Sequence, residues 1–486
     1  MHRIKVLLIN LLMIYTLTLG AQDLVDVTYQ GNLNRGTFAA ILSTFLPDLE
    51  ITSGVDLYRI TYTTIGSDNL PDTASGLLVL PDTISGPMPI INYQHGTTDG
   101  RNSVPSNLAG QEYLLASAFS TVGFISFAPD YIGMGSSRGF HPYVHPETEA
   151  RAMVDMLSAI KTYLDEQEIE YTEQLFITGY SQGGHGAVSA QRMIEEQLAP
   201  EITVTASLPM SGPYDISGVM IKLLFSDQEF FFPSYFVYST LSVWTINPEL
   251  FDDITEVFNP DFIDAIRPFS ETGEGLGVMN RQLLEILERD YGGSFPRFMY
   301  QDSILNLIQN DLDHPFNEAI AEYDVYDWTP KAPTLMLYCE GDDQVPFINS
   351  LRADSVMNAN GAADVNAMSV EMGISLDHRE CIVPALQIGV PWLLSFLDNT
   401  VSVNDISVNS EEITVYPNPS NDRINIRLSD IEAHGLQIID MTGRILWSKS
   451  QPYRNESLDI SQYSSGIYFL RSVTEDKTYM NKIIIE

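Results

Sequence analysis

Short apolar runs alternate with amphipathic stretches along most of the chain. Runs of strand length, rich in branched and aromatic residues, predict strands at 57–63, 76–80, 89–94 and 122–128. A helix is expected over 107–118. Pro146 opens a longer one, with Met153, Leu157, Ile160 and Leu164 at helical spacing on one face. A strand at 175–178, a helix from about 184 to 198 and a strand at 202–208 follow. Residues 22 to about 55 carry no comparable period and read as an irregular lead-in.

Residues 216–328 break the alternation. Helical stretches at 250–258, 282–287 and 303–312 follow one another without a buried-strand run, which predicts a helical insertion. The strand–helix rhythm then resumes: a strand at 334–338, a helix near 350–357, a strand near 365–372 and a helix over 382–397. This order predicts an α/β fold, a mainly parallel sheet covered by helices on both faces, with a helical cap inserted. Polar, unpatterned residues 400–412 read as a linker. Beyond them come six short alternating runs, 413–416, 424–428, 436–440, 445–448, 467–472 and 482–485. Turn sequences such as Pro417-Asn418-Pro419 and Thr442-Gly443 separate several of them. They predict a small all-β, sandwich-like domain over 413–486.

Composition narrows the function. The formal net charge is −39, from 25 basic and 64 acidic residues, which disfavours nucleic-acid partners. His2, Arg3 and Lys5 precede an apolar run from Val6 to Leu19, and Gly20-Ala21 offers a small-residue cleavage site. Residues 1–21 therefore read as a secretory signal peptide, with 22–399 as the main domain and no membrane span after cleavage. The two cysteines, Cys339 and Cys381, are too few for a disulfide framework or a zinc set.

The chemistry centres on Gly179-Tyr180-Ser181-Gln182-Gly183, placed between a predicted strand and a predicted helix. In that context G-x-S-x-G presents a serine as a nucleophile, with the flanking glycines expected to allow the sharp bend. Serine needs a base, and the base an orienting acid. The strand at 334–338 runs into Glu340-Gly341-Asp342-Asp343, and the one near 365–372 runs toward Asp377-His378. His378 is the candidate base. Asp342, on the tight turn after its strand, is preferred as the acid over Asp343 and Glu340. Backbone N–H groups of Gln182 and of Thr97, in the loop after 89–94, are the candidate oxyanion donors. His141, His145, Glu147 and Glu149 cluster, but Pro142 and Pro146 break the helix that would align them on a metal. No metal and no cofactor is expected. The Gly-punctuated loop 130–136 lacks the lysine and spacing of a phosphate-binding loop.

Taken together, these segments resemble the α/β-hydrolase superfamily over roughly residues 55–398. Within it the chain is similar to the secretory lipase family and related bacterial esterases. The resemblance is carried by Tyr93-Gln94-His95-Gly96-Thr97, Pro129-Asp130-Tyr131-Ile132-Gly133-Met134-Gly135, His141-Pro142-Tyr143, Gly179-Tyr180-Ser181-Gln182-Gly183-Gly184 and Asp342-Asp343-Gln344-Val345-Pro346. It implies Ser181 as nucleophile, Asp342 as acid, His378 as base, and a cap over the site. The C-terminal module resembles a type IX secretion sorting domain, through Val415-Tyr416-Pro417-Asn418-Pro419, Ile439-Asp440-Met441-Thr442-Gly443-Arg444 and Gly466-Ile467-Tyr468-Phe469-Leu470. That resemblance implies the secretion machinery as a partner, and export through the periplasm of a Gram-negative cell to the surface or beyond.

The expected activity is hydrolysis of a small-molecule or lipid carboxylic ester through an acyl-enzyme. A peptidase on the same scaffold and a catalytically inactive surface-binding protein are the alternatives. The aromatic stretch Phe230-Phe231-Phe232-Pro233 with Tyr235, Phe236, Tyr238 and Trp244 reads either as an acyl pocket or lid, or as plain cap core. Cys339 precedes Asp342 by three residues and Cys381 follows His378 by three. If the acid and base loops touch, a disulfide between them is expected.

Overall fold

The computed structural model describes residues 23–42, 51–83, 86–371, 374–397, 406–408, 413–429, 435–440, 445–450, 452–473 and 478–485. The expected signal peptide and most of the expected linker lie outside the described residues. The elements of the main domain up to the insertion are β1 (Leu24–Leu33), α1 (Arg35–Leu42), β2 (Val55–Ile65), β3 (Pro71–Pro81), β4 (Met88–Gln94), α2 (Glu112–Ser120), β5 (Ile125–Pro129), α3 (Pro146–Glu166), β6 (Tyr171–Tyr180), α4 (Gln182–Met193) and β7 (Ala206–Met210). The insertion carries α5 (Ile221–Leu224), α6 (Ser234–Ile246), α7 (Ile263–Thr272), α8 (Leu276–Tyr291), α9 (Asp302–Asn310) and α10 (Pro315–Ala321). β8 (Thr334–Tyr338), α11 (Ile348–Ala359), β9 (Val365–Ser369) and α12 (His378–Leu394) complete the domain.

One nine-stranded sheet runs in the order β1-β2-β3-β5-β4-β6-β7-β8-β9. The first three strands pair antiparallel, and β3 is antiparallel to β5. From β5 to β9 every neighbouring pair is parallel. Every residue of β4, β7 and β8 is buried, as helices on both faces require, and their sequences are correspondingly mostly apolar. The chain leaves β4 for β5 on one side and returns to β6 on the other. The connections leaving the carboxyl ends of β4 and β6 therefore diverge, and such a switch point opens a crevice for a ligand.

Two expectations in the main domain need correction, and one helix was not foreseen. The lead-in at 22 to about 55 contains β1 and α1. β1 is an edge strand whose residues are all half-buried or exposed, so it needs no apolar alternation. The helix expected over 250–258 is only the short turn Ile254–Glu256; its apolar spacing reflects one turn that buries Ile254, Val257 and Phe258. α6 was not foreseen because it is apolar around its circumference and packs inside the cap, which leaves no amphipathic period to read.

The C-terminal residues form β10 (Ile406–Val408), β11 (Ile413–Tyr416), β12 (Arg423–Leu428), β13 (Gly435–Asp440), β14 (Ile445–Ser450), β15 (Asn455–Asp459), β16 (Gly466–Val473) and β17 (Thr478–Ile485). Sheets β10-β17-β16-β13-β14 and β11-β12-β15 share one core, in which Ile424 and Ile426 meet Leu436, Ile438, Leu470 and Ile483. β10 lies within the stretch read as linker and pairs parallel with β17. β15 is polar along its length (Asn-Glu-Ser-Leu-Asp), which hid it from the apolar pattern.

The two stems of the insertion are tied together where they leave the sheet. Asp324 accepts from the Ser217 backbone N–H (2.9 Å) and hydroxyl (2.5 Å), and the Val325 N–H donates to the Tyr214 carbonyl (3.0 Å). Burial pushes the Asp324 carboxyl up from 3.8 to about 6. A carboxyl whose native pKa exceeds its unfolded value favours the fold while protonated, and that stability is lost as the pH rises through the native value. Asp324→Asn should therefore leave the melting point unchanged at pH 4 and raise it at pH 8, by at most about 3 kcal/mol in stability. Thermal melts at the two pH values check this; an equal gain at both would mean that charge is not the cause.

Candidate active site

β6 ends at Tyr180, and α4 begins at Gln182 with Ser181 as its N-cap. Ser181 adopts φ 61°, ψ −121°, a conformation rare for a residue with a Cβ and one that concentrates at functional sites. An N-cap serine ordinarily spends its hydroxyl on the helix, but Ser181 makes no such bond. The flanking glycines serve close approach rather than an unusual φ. A Cβ on Gly179 would lie 2.1 Å from the Gly183 carbonyl oxygen, and one on Gly183 would lie 1.9 Å from that of Gln94. The absence of these two methyl groups lets the end of β4 abut the first turn of α4.

His378 is the first residue of α12, whose start is fixed by a capping box. Asp377 accepts from the N–H groups of Arg379 and Glu380, and Glu380 accepts from that of Asp377. The His378 Nδ1 lies 2.7 Å from Asp342 Oδ2. Asp342 Oδ1 accepts from the N–H groups of Gln344 (3.0 Å) and Val345 (2.8 Å), so both carboxylate oxygens are held. With a carboxylate as acceptor, Nδ1 carries the ring proton and Nε2 presents its lone pair. Asp343, the runner-up, instead accepts from the His378 backbone N–H (3.1 Å), and Glu340 is exposed. Tyr180 joins this pair to the elbow: its ring lies 5.0 Å from the imidazole, and its hydroxyl donates to the His378 carbonyl at 2.5 Å.

Cys339 and Cys381 are bonded to each other and fully buried. The bridge spans the loop holding Asp342 and the first turn of α12. Closing a loop over a sequence separation of 42 removes unfolded-state freedom worth about 4 kcal/mol in the loop-entropy account.

After β4 the loop carrying Thr97 is held on three sides. Glu112 of α2 accepts from the Gly96 N–H (3.0 Å) and the Tyr93 hydroxyl (2.8 Å). The Tyr131 hydroxyl donates to the His95 carbonyl (2.9 Å), and the Thr97 hydroxyl lies 2.9 Å from that of Tyr143. Among the described residues no acceptor engages the backbone N–H of Thr97 or of Gln182. The Gln182 side chain reaches back to His141 and Glu149, and Glu149 reaches His185. Among the described residues no group of three or more His, Cys, Asp or Glu is arranged for a metal; His145 stands 3.2 Å from the Thr148 hydroxyl, and Glu147 pairs with Arg151 on the surface. Sequence reasoning had placed Glu149 in a loop cluster and His185 on the serine helix, and gave neither a role beside Gln182. Their approach depends on α3 packing on α4, which local spacing does not encode.

An apolar cleft runs from Ser181 into the insertion. Tyr143, Ile216, Phe236, Val243, Phe316 and Ile320 are among its walls. The aromatic stretch of the insertion divides. Tyr235 and Phe236 face the cleft, Phe230 and Tyr238 fill the cap core, and Phe231 is exposed. Tyr143 stacks on Tyr238 of α6 with ring centres 4.3 Å apart, linking the Thr97 loop to the cap.

Residues 414–486 match the family of secretion system C-terminal sorting domains. No curated protein matches the chain by sequence. Among solved structures, the chain resembles a Legionella pneumophila protein for which hydrolase activity is an assignment. The identity is 26%, the TM-score 0.69, and the match covers 78% of this chain and 99% of that one. It also resembles the rice cell wall degrading esterase LipA of Xanthomonas oryzae, at 23% identity and TM-score 0.66, covering 78% and 98% of the two chains. Candida antarctica lipase A in its closed state matches at 14% identity and TM-score 0.54, covering 78% and 84%. The main domain has the α/β-hydrolase fold, and a secretion sorting domain follows it.

Proposed function

We propose that the chain is an exported serine hydrolase that cleaves carboxylic esters through an acyl-enzyme. Residues 22–399 form its catalytic domain with a cap over 216–328, and 400–412 link it to the sorting domain at 413–486. The observation that carries the reading is the elbow itself. Ser181 sits at positive φ with its hydroxyl uncommitted to the helix, and its neighbour Tyr180 packs on a buried imidazole held at Nδ1 by Asp342. In this reading His378 Nε2 takes the Ser181 proton as Oγ attacks the ester carbonyl. The Gln182 and Thr97 backbone N–H groups receive the oxyanion, and Asp342 stabilises the imidazolium. The alcohol departs with the proton from His378. Water, deprotonated by the same nitrogen, then attacks the acyl-enzyme and releases the acid.

The apolar cleft beside Ser181 supports a substrate with a hydrocarbon acyl chain, and its enclosure by the cap favours the lipase side of the esterase–lipase range. The sorting domain supports export by type IX secretion to the cell surface or the medium, reached through the periplasm. A panel of nitrophenyl esters and peptide amides, run with wild type and Ser181→Ala, tests the reading. Ester turnover that disappears with the hydroxyl supports it, and amide turnover alone would move the protein to the peptidases. Within the ester series, octanoyl esters should outperform acetyl esters. Ile320→Trp, filling the cap side of the cleft, should lower octanoyl turnover about tenfold while leaving acetyl turnover nearly unchanged. An equal loss on both chains would remove the cleft from acyl binding.

A further inference from the structure

Beneath the first turn of α4 lies a buried polar network that the acyl-transfer steps do not use. Gln182 Nε2 lies 2.8 Å from His141 Nε2 and 3.0 Å from Glu149 Oε1. The other oxygen of Glu149 lies 2.7 Å from His185 Nδ1, and His185 Nε2 lies 2.9 Å from the carbonyl of Tyr323. Glu149 and His185 are inaccessible to solvent, and His141 and Gln182 are buried.

The partners fix the protons. The Gln182 amide nitrogen only donates, so His141 and Glu149 must both accept. His141 Nδ1 faces the Ile132 carbonyl at 2.8 Å, so it keeps its proton there and offers the Nε2 lone pair. Burial lowers the pKa of this histidine to about 3, which agrees with a neutral ring. His185 is held between two oxygens, Glu149 at Nδ1 and the Tyr323 carbonyl at Nε2. Without such a partner a buried carboxylate would be strongly destabilising.

We propose that Glu149, held by His185, is a positioning residue for the oxyanion donor: by anchoring the Gln182 side chain from below, it sets the direction of the Gln182 backbone N–H. The inference rests on reading Ser181 as the nucleophile. The first N–H of a helix has no intrahelical bond to hold it, and the peptide joining Ser181 to Gln182 follows a residue of non-helical φ and ψ. Its orientation therefore needs another constraint, and small errors in donor placement are expensive in rate. The far end of the network is the Tyr323 carbonyl on the returning stem of the cap. The Tyr323 side chain lines the cleft, so the donor is tied to the element that encloses the substrate.

Glu149→Gln in the full chain keeps the shape and removes the charge. Its kcat on a nitrophenyl ester is expected to fall about 10- to 100-fold with KM little changed. Affinity for an alkylboronic acid, whose tetrahedral adduct places an oxygen where the oxyanion forms, should fall by the same factor. His141→Phe, which keeps a ring and removes one acceptor, should give the same signature with smaller amplitude. A folded Glu149→Gln variant with wild-type kcat and boronate affinity overturns the proposal, as does a loss confined to KM or to melting temperature. Failure of both variants to fold also overturns it, because the network would then serve the fold alone. Ser181→Ala, assayed alongside, separates the two levels. Activity that survives it removes the underlying reading, whereas an inactive Ser181→Ala beside an unimpaired Glu149→Gln removes only the positioning role.

Discussion

Ser181→Ala is expected to lower kcat toward carboxylic esters by roughly four to six orders of magnitude, with KM little changed. The size follows from the role. Without Oγ no acyl-enzyme forms, and what remains is the contribution of the oxyanion donors and of binding. The fold should tolerate the change. The Ser181 N–H donates to the Met210 carbonyl at 2.9 Å, a backbone bond that alanine keeps. The Ser181 hydroxyl caps no helix, so no capping bond is lost with it. A melting point equal to wild type, with loss of both ester turnover and fluorophosphonate labelling, is the expected pair of results. Full activity in the variant would move the nucleophile elsewhere. Labelling that never occurs in wild type would return the protein to the class of inactive binding proteins.

Asp342→Asn carries the second largest effect, a loss of about 10⁴ in kcat. Asparagine preserves the shape, and its oxygen can still accept from the Gln344 and Val345 N–H groups. Its amide nitrogen then faces His378 Nδ1. That ring nitrogen can satisfy an N–H donor only by giving up its proton, which sends the proton to Nε2 and removes the lone pair that would receive the serine hydrogen. Asp343→Asn is the control. Among the described residues Asp343 accepts one hydrogen bond, from the His378 backbone N–H, which asparagine oxygen can retain, so kcat should stay within about tenfold of wild type. Steady-state kinetics on both variants decide the matter. If Asp343→Asn proved the more damaging, the roles of the two acids would be exchanged.

Much of the main domain was legible because its central strands are buried on both faces. Thr334 aside, the residues of 334–338 are almost wholly apolar, and such runs bounded by turns can be little else in an alternating chain. The long helix from Pro146 was legible for the opposite reason, since one apolar stripe on a polar helix has a clear period. β1, β15 and α6 were not legible: two have no buried face large enough to impose alternation, and the third is buried all round. The reason for the glycines beside Ser181 was also misread. The sequence shows that they are small, but only the tertiary structure reveals that the Gln94 and Gly183 carbonyls occupy the space a Cβ would need.

By itself the sequence determined the order of the buried central strands and their amphipathic helices, the serine on its turn, the three candidate acids and the histidine that follows them. Those features depend on neighbours a few residues apart, where period and turn chemistry are written locally. The contact of His378 with Asp342, the meeting of Cys339 with Cys381 that the sequence could expect only conditionally, and the reach of Glu149 and His185 to Gln182 are set by the tertiary structure. Each depends on which loops the parallel sheet brings to one edge, and on distances of a few ångströms between residues dozens of positions apart. No local spacing specifies those distances.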